Sequence, residues 1–265
     1  MLEHLLESII LGIIQGIAEW LPISSTAHLK IVEHFLGFTA TPLFNVTLHV
    51  GTLAVVVFYF RKEVKKILSA LVHLDFKSEH GQLIPLIIVA TIPTAIVGLL
   101  YVTFLEDTLQ TILAIGATFL VGATIVYASK IGKENTDTIT YTTALIMGAA
   151  QGVAIFPGLS RSGITISSAL LLGLKREKAF KFSFLLSIPA ILGDLVVEAY
   201  RQRGQLTPQG IGSIELLVGV VIAMIAGYIA IKLVSKIVAS KKFQYFAFYT
   251  WLLGTTLIVL ALTGL

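Results

Sequence analysis

Six apolar runs, at residues 43–60, 83–104, 109–129, 180–199, 214–234 and 245–265, come close to the roughly 20 residues a helix needs to cross a bilayer core. Only 13% of the 265 residues are charged and 56% are hydrophobic, so a soluble domain of this size has too little interior to hide its apolar surface. A soluble enzyme, a disordered chain and a disulfide scaffold are excluded for the chain as a whole. With no cysteine, so are thiolate metal sites and thiol redox chemistry. Two further apolar stretches, 5–41 and 140–174, are each interrupted near the middle by Pro, Ser and Gly. Glu19, His28 and Lys30 stand inside the first, where a secretory signal is apolar, so it is read as part of the fold.

Charge placement orients the spans. Of the 19 lysines and arginines, all but Lys30, Arg161, Arg201 and Arg203 lie in the segments that follow residues 60, 129, 174 and 234, Lys232 standing at the edge of the last. Those segments are expected to be cytoplasmic, and residues 105–108 and 200–213 to lie outside. Stretch 140–174 then begins and ends inside, and stretch 5–41 ends outside. Each is most economically a re-entrant hairpin, which membranes tolerate only where it is buried in protein or lines a watery cavity.

The two stretches also match each other. A shift of 136 residues places Gly12, Gln15 and Gly16 on Gly148, Gln151 and Gly152, Ser24 on Ser160, and Thr26 on Ser162. With three spans between them, the copies have opposite orientation. The expected fold is therefore an all-α polytopic membrane protein, one membrane domain over 1–265. It has six transmembrane helices plus two opposed re-entrant helical hairpins, in an inverted-topology repeat of about 1–134 and 135–265. Such folds place their site near the midplane, where broken helices meet.

The hairpin tips carry the chemistry. Pro22 cannot continue a helix, and Ser24, Ser25 and Thr26 follow it as natural caps of a new half-helix. In the second tip Pro157-Gly158 makes the break, and Ser160, Ser162 and Gly163 follow. Two helix N-termini with free N–H groups and added hydroxyls form an anion site suited to phosphate. Arg161 at bilayer depth is costly, and its fork matches phosphate oxygens bidentately. Glu19 shares a helix face with Gln15. A carboxylate beside an anion site serves as a base or holds a cation, or else simply pairs with Arg161. His28, in the second half-helix, is expected as an acid, base or nucleophile. Asn45 and His49 share a face of span 43–60 and are weaker candidates for supporting the site. Asp194 and Glu198 read as interfacial, Lys30 as snorkelling or paired with Glu33, and residues 62–80 as lying on the cytoplasmic surface.

Gln-Gly-x-x-Glu (15–19), Pro-Ile-Ser-Ser-Thr-Ala-His (22–28) and Pro-Gly-x-Ser-Arg-Ser-Gly-x-Thr (157–165) resemble the signatures of the undecaprenyl-diphosphate phosphatase family of the bacitracin-resistance type. The resemblance covers essentially the whole chain. It implies hydrolysis of a C55 isoprenyl diphosphate to the monophosphate, recycling the lipid carrier of bacterial cell-wall synthesis. It implies a multi-pass protein of the bacterial plasma membrane, with its active site open to the outer face. It implies Glu19, Ser25, His28 and Arg161 as core residues, Thr165 in support, and a divalent cation, Mg2+ or Ca2+. Position 15 can be Glu in that family and is Gln15 here, which removes one carboxylate from the metal's expected surroundings and leaves Glu19, with Gln15 as a neutral oxygen. The expected partners are the polyprenyl diphosphate and the bilayer, with no nucleic acid. The nucleophile stays open among Ser25, His28 and a directly activated water. The alternative is a transporter or flippase for a phosphate-bearing substrate, since inverted repeats with broken helices are also transporter architecture.

Overall fold

The computed structural model describes residues 2–37, 40–201 and 212–263. Arg203 and the last two residues of the run 245–265 lie outside them, as do two residues of the stretch 5–41. The described residues form helices and no sheet: α1 (Leu2–Trp20), α2 (Ser25–Leu36), α3 (Pro42–Tyr59), α4 (Arg61–Val72), α5 (Leu83–Leu100), α6 (Glu106–Leu109), α7 (Ile112–Ala128), α8 (Tyr141–Val153), α9 (Arg161–Leu171), α10 (Arg176–Arg201), α11 (Ser213–Ala239) and α12 (Phe246–Thr263). A π-helical turn, Tyr101–Leu105, joins α5 to α6.

Among the described residues, five helices are long and apolar enough to cross a membrane: Leu83–Leu105, Ile112–Ile131, Arg176–Arg201, Ser213–Ala239 and Phe243–Thr263. The run 43–60 becomes a sixth when α3 is taken with α4, from which it is bent by 83°. The bend falls where the apolar sequence of α3 gives way to Arg61, Lys62, Lys65 and Lys66, all exposed. The interrupted stretches do break, at 21–24 and 154–160. With 12, 13 and 11 residues, α2, α8 and α9 are too short at about 1.5 Å per residue to cross a core about 30 Å thick.

Glycine pairs decide which helices lie side by side. A Cβ on Gly12 or Gly16 would meet the backbone oxygens of Gly219 or Ala223 at 2.6 and 2.5 Å, so α1 packs backbone to backbone on α11. A Cβ on Gly148 would overlap Ala90 of α5, and one on Gly152 would meet Val97 at 2.7 Å, so α8 packs on α5 in the same manner. Small residues four apart permit this approach between apolar helices. Helices α7 and α12 pack on each other. At one end of the bundle, ion pairs tie the cation-rich segments together: Lys178–Glu79, Lys181–Glu63, Arg176–Glu134 and Lys241–Glu134.

Candidate active site

The two breaks lock into each other. Gly158 N–H donates to Ser24 Oγ at 3.1 Å, and Ser160 Oγ and Ser162 Oγ both donate to the Leu21 carbonyl, at 3.1 and 3.2 Å. Gly158 sits at φ +97°, and Thr118 of α7 donates to the Pro157 carbonyl beside it. Ser24 itself is at φ +68°, a left-handed conformation rare for a residue with a side chain. Ser160 caps α9 by accepting from Gly163 N–H at 3.2 Å. Ser24 occupies the corresponding place before α2 but makes no side-chain cap, because its hydroxyl is turned to the other tip. The first N–H groups of α2 therefore have no side-chain cap, and Ser24, Ser25 and Thr26 line a cavity of about 360 Å³.

Glu19 enters that cavity from the last turn of α1 and is 7% exposed. Its Oε2 accepts from Ser25 Oγ at 2.7 Å and from Gln15 Nε2 at 3.1 Å. Its Oε1 faces Arg161 Nη1 at 3.7 Å, longer than a hydrogen bond, and that buried Nη1 has no hydrogen-bond partner. The guanidinium is thus held near the carboxylate without being consumed by it. A serine hydroxyl bonded to a buried carboxylate, with an unsatisfied guanidinium alongside, is an arrangement for attack on an electrophile that carries negative charge.

The structure brings Glu19, Ser24, Ser25, Thr26, Ser160 and Arg161 to one cavity. It does not bring His28 there. The His28 ring packs against Phe119 and Tyr249, its Nδ1 donating to the Ser24 carbonyl at 2.8 Å and its Nε2 lying 2.7 Å from the Tyr249 hydroxyl. Thr165 Oγ1 donates back to the Arg161 carbonyl at 2.8 Å and, with Ser162, lines a small void behind Glu19. Gly163 is buried against Pro22 and Val126. Gln15 is fully buried behind Glu19 and does not line the cavity.

Residues ranked low from sequence do line it. Asn45 and His49 of α3 form one wall. Lys30, Glu33, Glu106, Asp194, Glu198 and Arg201 also line it, with Arg201 paired to Glu106 at 2.7 Å. Polar side chains one turn apart on so apolar a helix were the available signal for Asn45 and His49.

A family model described as bacitracin resistance protein BacA matches residues 8–256. The chain belongs to the BacA family. A protein of Carboxydothermus hydrogenoformans named undecaprenyl-diphosphatase is 39% identical, over 97% of this chain and 98% of its own. Undecaprenyl-diphosphatase 3 of Bacillus cereus is 41% identical over the same shares, and the undecaprenyl-diphosphatase of Treponema denticola is 41% identical over 94% of each chain. With its apolar helices, this BacA-family chain is a multi-pass membrane protein.

The divalent cation that the resemblance implies has a partial fit in this BacA-family cavity. Among the described residues no group of three His, Asp or Glu side chains forms a protein cage. Glu19 Oε1 accepts no hydrogen bond there, so one carboxylate oxygen is available to an ion that takes its other ligands from substrate.

Proposed function

We infer that this chain is an undecaprenyl-diphosphatase, an integral-membrane phosphohydrolase that releases inorganic phosphate from the lipid diphosphate and leaves the lipid monophosphate. The observation that carries the reading is the 2.7 Å hydrogen bond from Ser25 Oγ to Glu19 Oε2, beside Arg161 and the uncapped start of α2. A transport site needs the anion contacts but has less need of a nucleophile paired with a base, and the named relatives support hydrolysis.

Ser25 Oγ attacks the distal phosphorus as its proton passes to Glu19. The bond to the bridging oxygen breaks, and its electron pair leaves with the lipid monophosphate. Arg161 and the α2 N–H groups meet the charge on the phosphoryl oxygens. Glu19 gives its proton to the departing phosphate, then takes one from the water that attacks the phosphoserine. Inorganic phosphate leaves as that proton returns to Ser25. Glu19 would hold a divalent cation, Mg2+ or Ca2+, which when bound neutralises diphosphate oxygens and polarises the phosphoryl group. His28 acts as a positioning residue that fastens the first turn of α2 to α12.

The finer architecture belongs to the same reading. Helices α1 and α8 are counterparts at the 136-residue offset, as are α11 and α5, so the α1–α11 and α8–α5 packings exchange into one another. That supports two re-entrant hairpins in an inverted-topology repeat within a single membrane domain, α3 and α10 being counterparts likewise. The ion-paired, cation-rich end is cytoplasmic, so the cavity, near Glu106 and Arg201, opens to the outer face of the bacterial plasma membrane. The headgroup occupies the cavity and the prenyl chain stays between helices in the bilayer.

Phosphate release from a prenyl diphosphate by the purified protein in detergent tests the reaction. A radiolabelled distal phosphate should be trapped on wild-type protein by acid quench and absent from Ser25→Ala; an activity without that dependence would exclude Ser25 as nucleophile. Single cysteines at Thr108 and Ser78 test orientation. An impermeant thiol reagent should label only the first in whole cells, and the reverse pattern would invert the topology.

A further inference from the structure

Ser24, at the break before α2, is held from both ends. Its hydroxyl accepts from Gly158 N–H of the second tip at 3.1 Å. Its carbonyl accepts from the backbone N–H of His28 at 3.2 Å and from the ring Nδ1–H at 2.8 Å. A carbonyl only accepts, so Nδ1 carries the ring proton, and the neutral ring presents an acceptor at Nε2. The Tyr249 hydroxyl of α12, 2.7 Å away, then donates to it, and the two rings stack at 19° with centroids 5.8 Å apart. Tyr249 is 45% exposed, on a helix whose other large exposed side chains, Phe248, Leu252, Val259 and Leu262, carry no polar atom. Hydrocarbon offers that hydroxyl no partner, which makes its bond to His28 costly to lose.

We propose that Tyr249 is a positioning residue of the phosphohydrolase site: by donating to His28 Nε2 it fixes the ring that holds the Ser24 carbonyl, and so keeps the start of α2 uncapped for phosphate. The inference rests on the phosphohydrolase reading and places part of its anion site under the control of a residue 221 positions from His28. The physical link is the backbone of Ser24. At φ +68° it holds a conformation that persists only where the surroundings over-determine it. Released, Ser24 would relax towards the ordinary conformation of a helix cap, and its hydroxyl would turn back to accept from the first N–H groups of α2. The protein's own serine would then compete with the substrate for those donors, which weakens substrate binding more than it slows the chemical step.

The test is Tyr249→Phe in the full-length protein in detergent, which keeps the ring and its stack and removes only the donor. KM for farnesyl diphosphate, and the Kd of its methylene-bridged diphosphonate analogue by calorimetry, should rise about five- to tenfold while kcat changes less than about twofold. In a His28→Ala background the same substitution should change the analogue's Kd no further, because the link is already cut. With 15N-labelled histidine, the Nε2 resonance of His28, assigned by its absence from His28→Ala, should move downfield in Tyr249→Phe with the Nδ1–H tautomer retained. Unchanged analogue affinity in Tyr249→Phe, or an effect that adds in full to that of His28→Ala, would overturn the proposal and leave the phosphohydrolase reading standing. A lower melting temperature with unchanged affinity would make Tyr249 a contact of the fold alone and overturn it likewise. Wild type that releases no phosphate, with the affinity and 15N changes as expected, would overturn the hydrolytic reading and leave Tyr249 positioning an anion site.

Discussion

The two hairpin tips are related by one offset, yet they spend the same kinds of group differently. In the first, Ser24 gives its hydroxyl to the opposite tip, the N–H groups of α2 stay without a side-chain cap, and Ser25 is bonded to Glu19. In the second, Ser160 caps its own helix and, with Ser162, holds the Leu21 carbonyl, so the end of α9 is used for structure. What the second tip delivers to the cavity is Arg161, the offset counterpart of Ser25. A repeat in sequence is therefore not a repeat in chemistry. One tip presents the Ser25–Glu19 pair and an uncapped helix start, and the other acts as a clamp carrying a cation.

The sharpest way to break this comparison is to exchange the roles of Ser25 and Arg161. Ser25→Ala should abolish turnover to background, and Arg161→Ala should lower kcat/KM by about 10²–10³-fold or more. Arg161→Lys should recover little, because a point charge does not replace a planar fork. Near wild-type rates in a phosphate-release assay for either Ala variant would contradict the assigned role.

Gly158 tests the clamp. A Cβ there would overlap Thr118 Oγ1 and approach the Ile115 carbonyl at 2.7 Å, at a φ of +97°. Gly158→Ala should destabilise the fold by roughly 1–3 kcal/mol and lower activity through the displaced tip, measurable as a fall in melting temperature together with kcat. Ser160→Ala removes a helix cap and one bond to Leu21, and should cost about 1–2 kcal/mol of stability. In that variant KM should change less than the melting temperature, the opposite of what a phosphate ligand would show.

The smallest expected effect is at His28. His28→Gln should reduce turnover no more than about tenfold while leaving phosphoserine formation intact, because the ring acts through the position of α2. A protein that loses all turnover, yet melts like wild type, would return His28 to the chemistry and make the packed ring a resting arrangement.

The apolar runs and the breaks at Pro22 and Pro157-Gly158 were legible because they depend on local rules: hydropathy over a span, and a residue that cannot continue a helix. The end of α3 was legible as well, in the cations from Arg61 that close the apolar run, although the 83° angle of the turn was not. The uneven use of the two tips was not legible. Ser24 and Ser160 are the same residue type at matched positions, and only the close fit of one tip against the other decides which hydroxyl caps its own helix.

The sequence by itself determined that this chain is a helical membrane protein, that two helices break, and that Glu19, the serines and Arg161 lie at those breaks. These follow from composition, spacing and the conformational limits of single residues. Only the tertiary structure decided which histidine lines the cavity. His28 stands in a motif but turns to Phe119 and Tyr249, whereas His49 stands in an apolar run and lines the cavity that holds Glu19. Periodicity shows which residues share a helix face, but the face that meets the cavity is set by how neighbouring helices approach. Here that approach is governed by glycines on α1 and α8, on helices other than those that carry the two histidines.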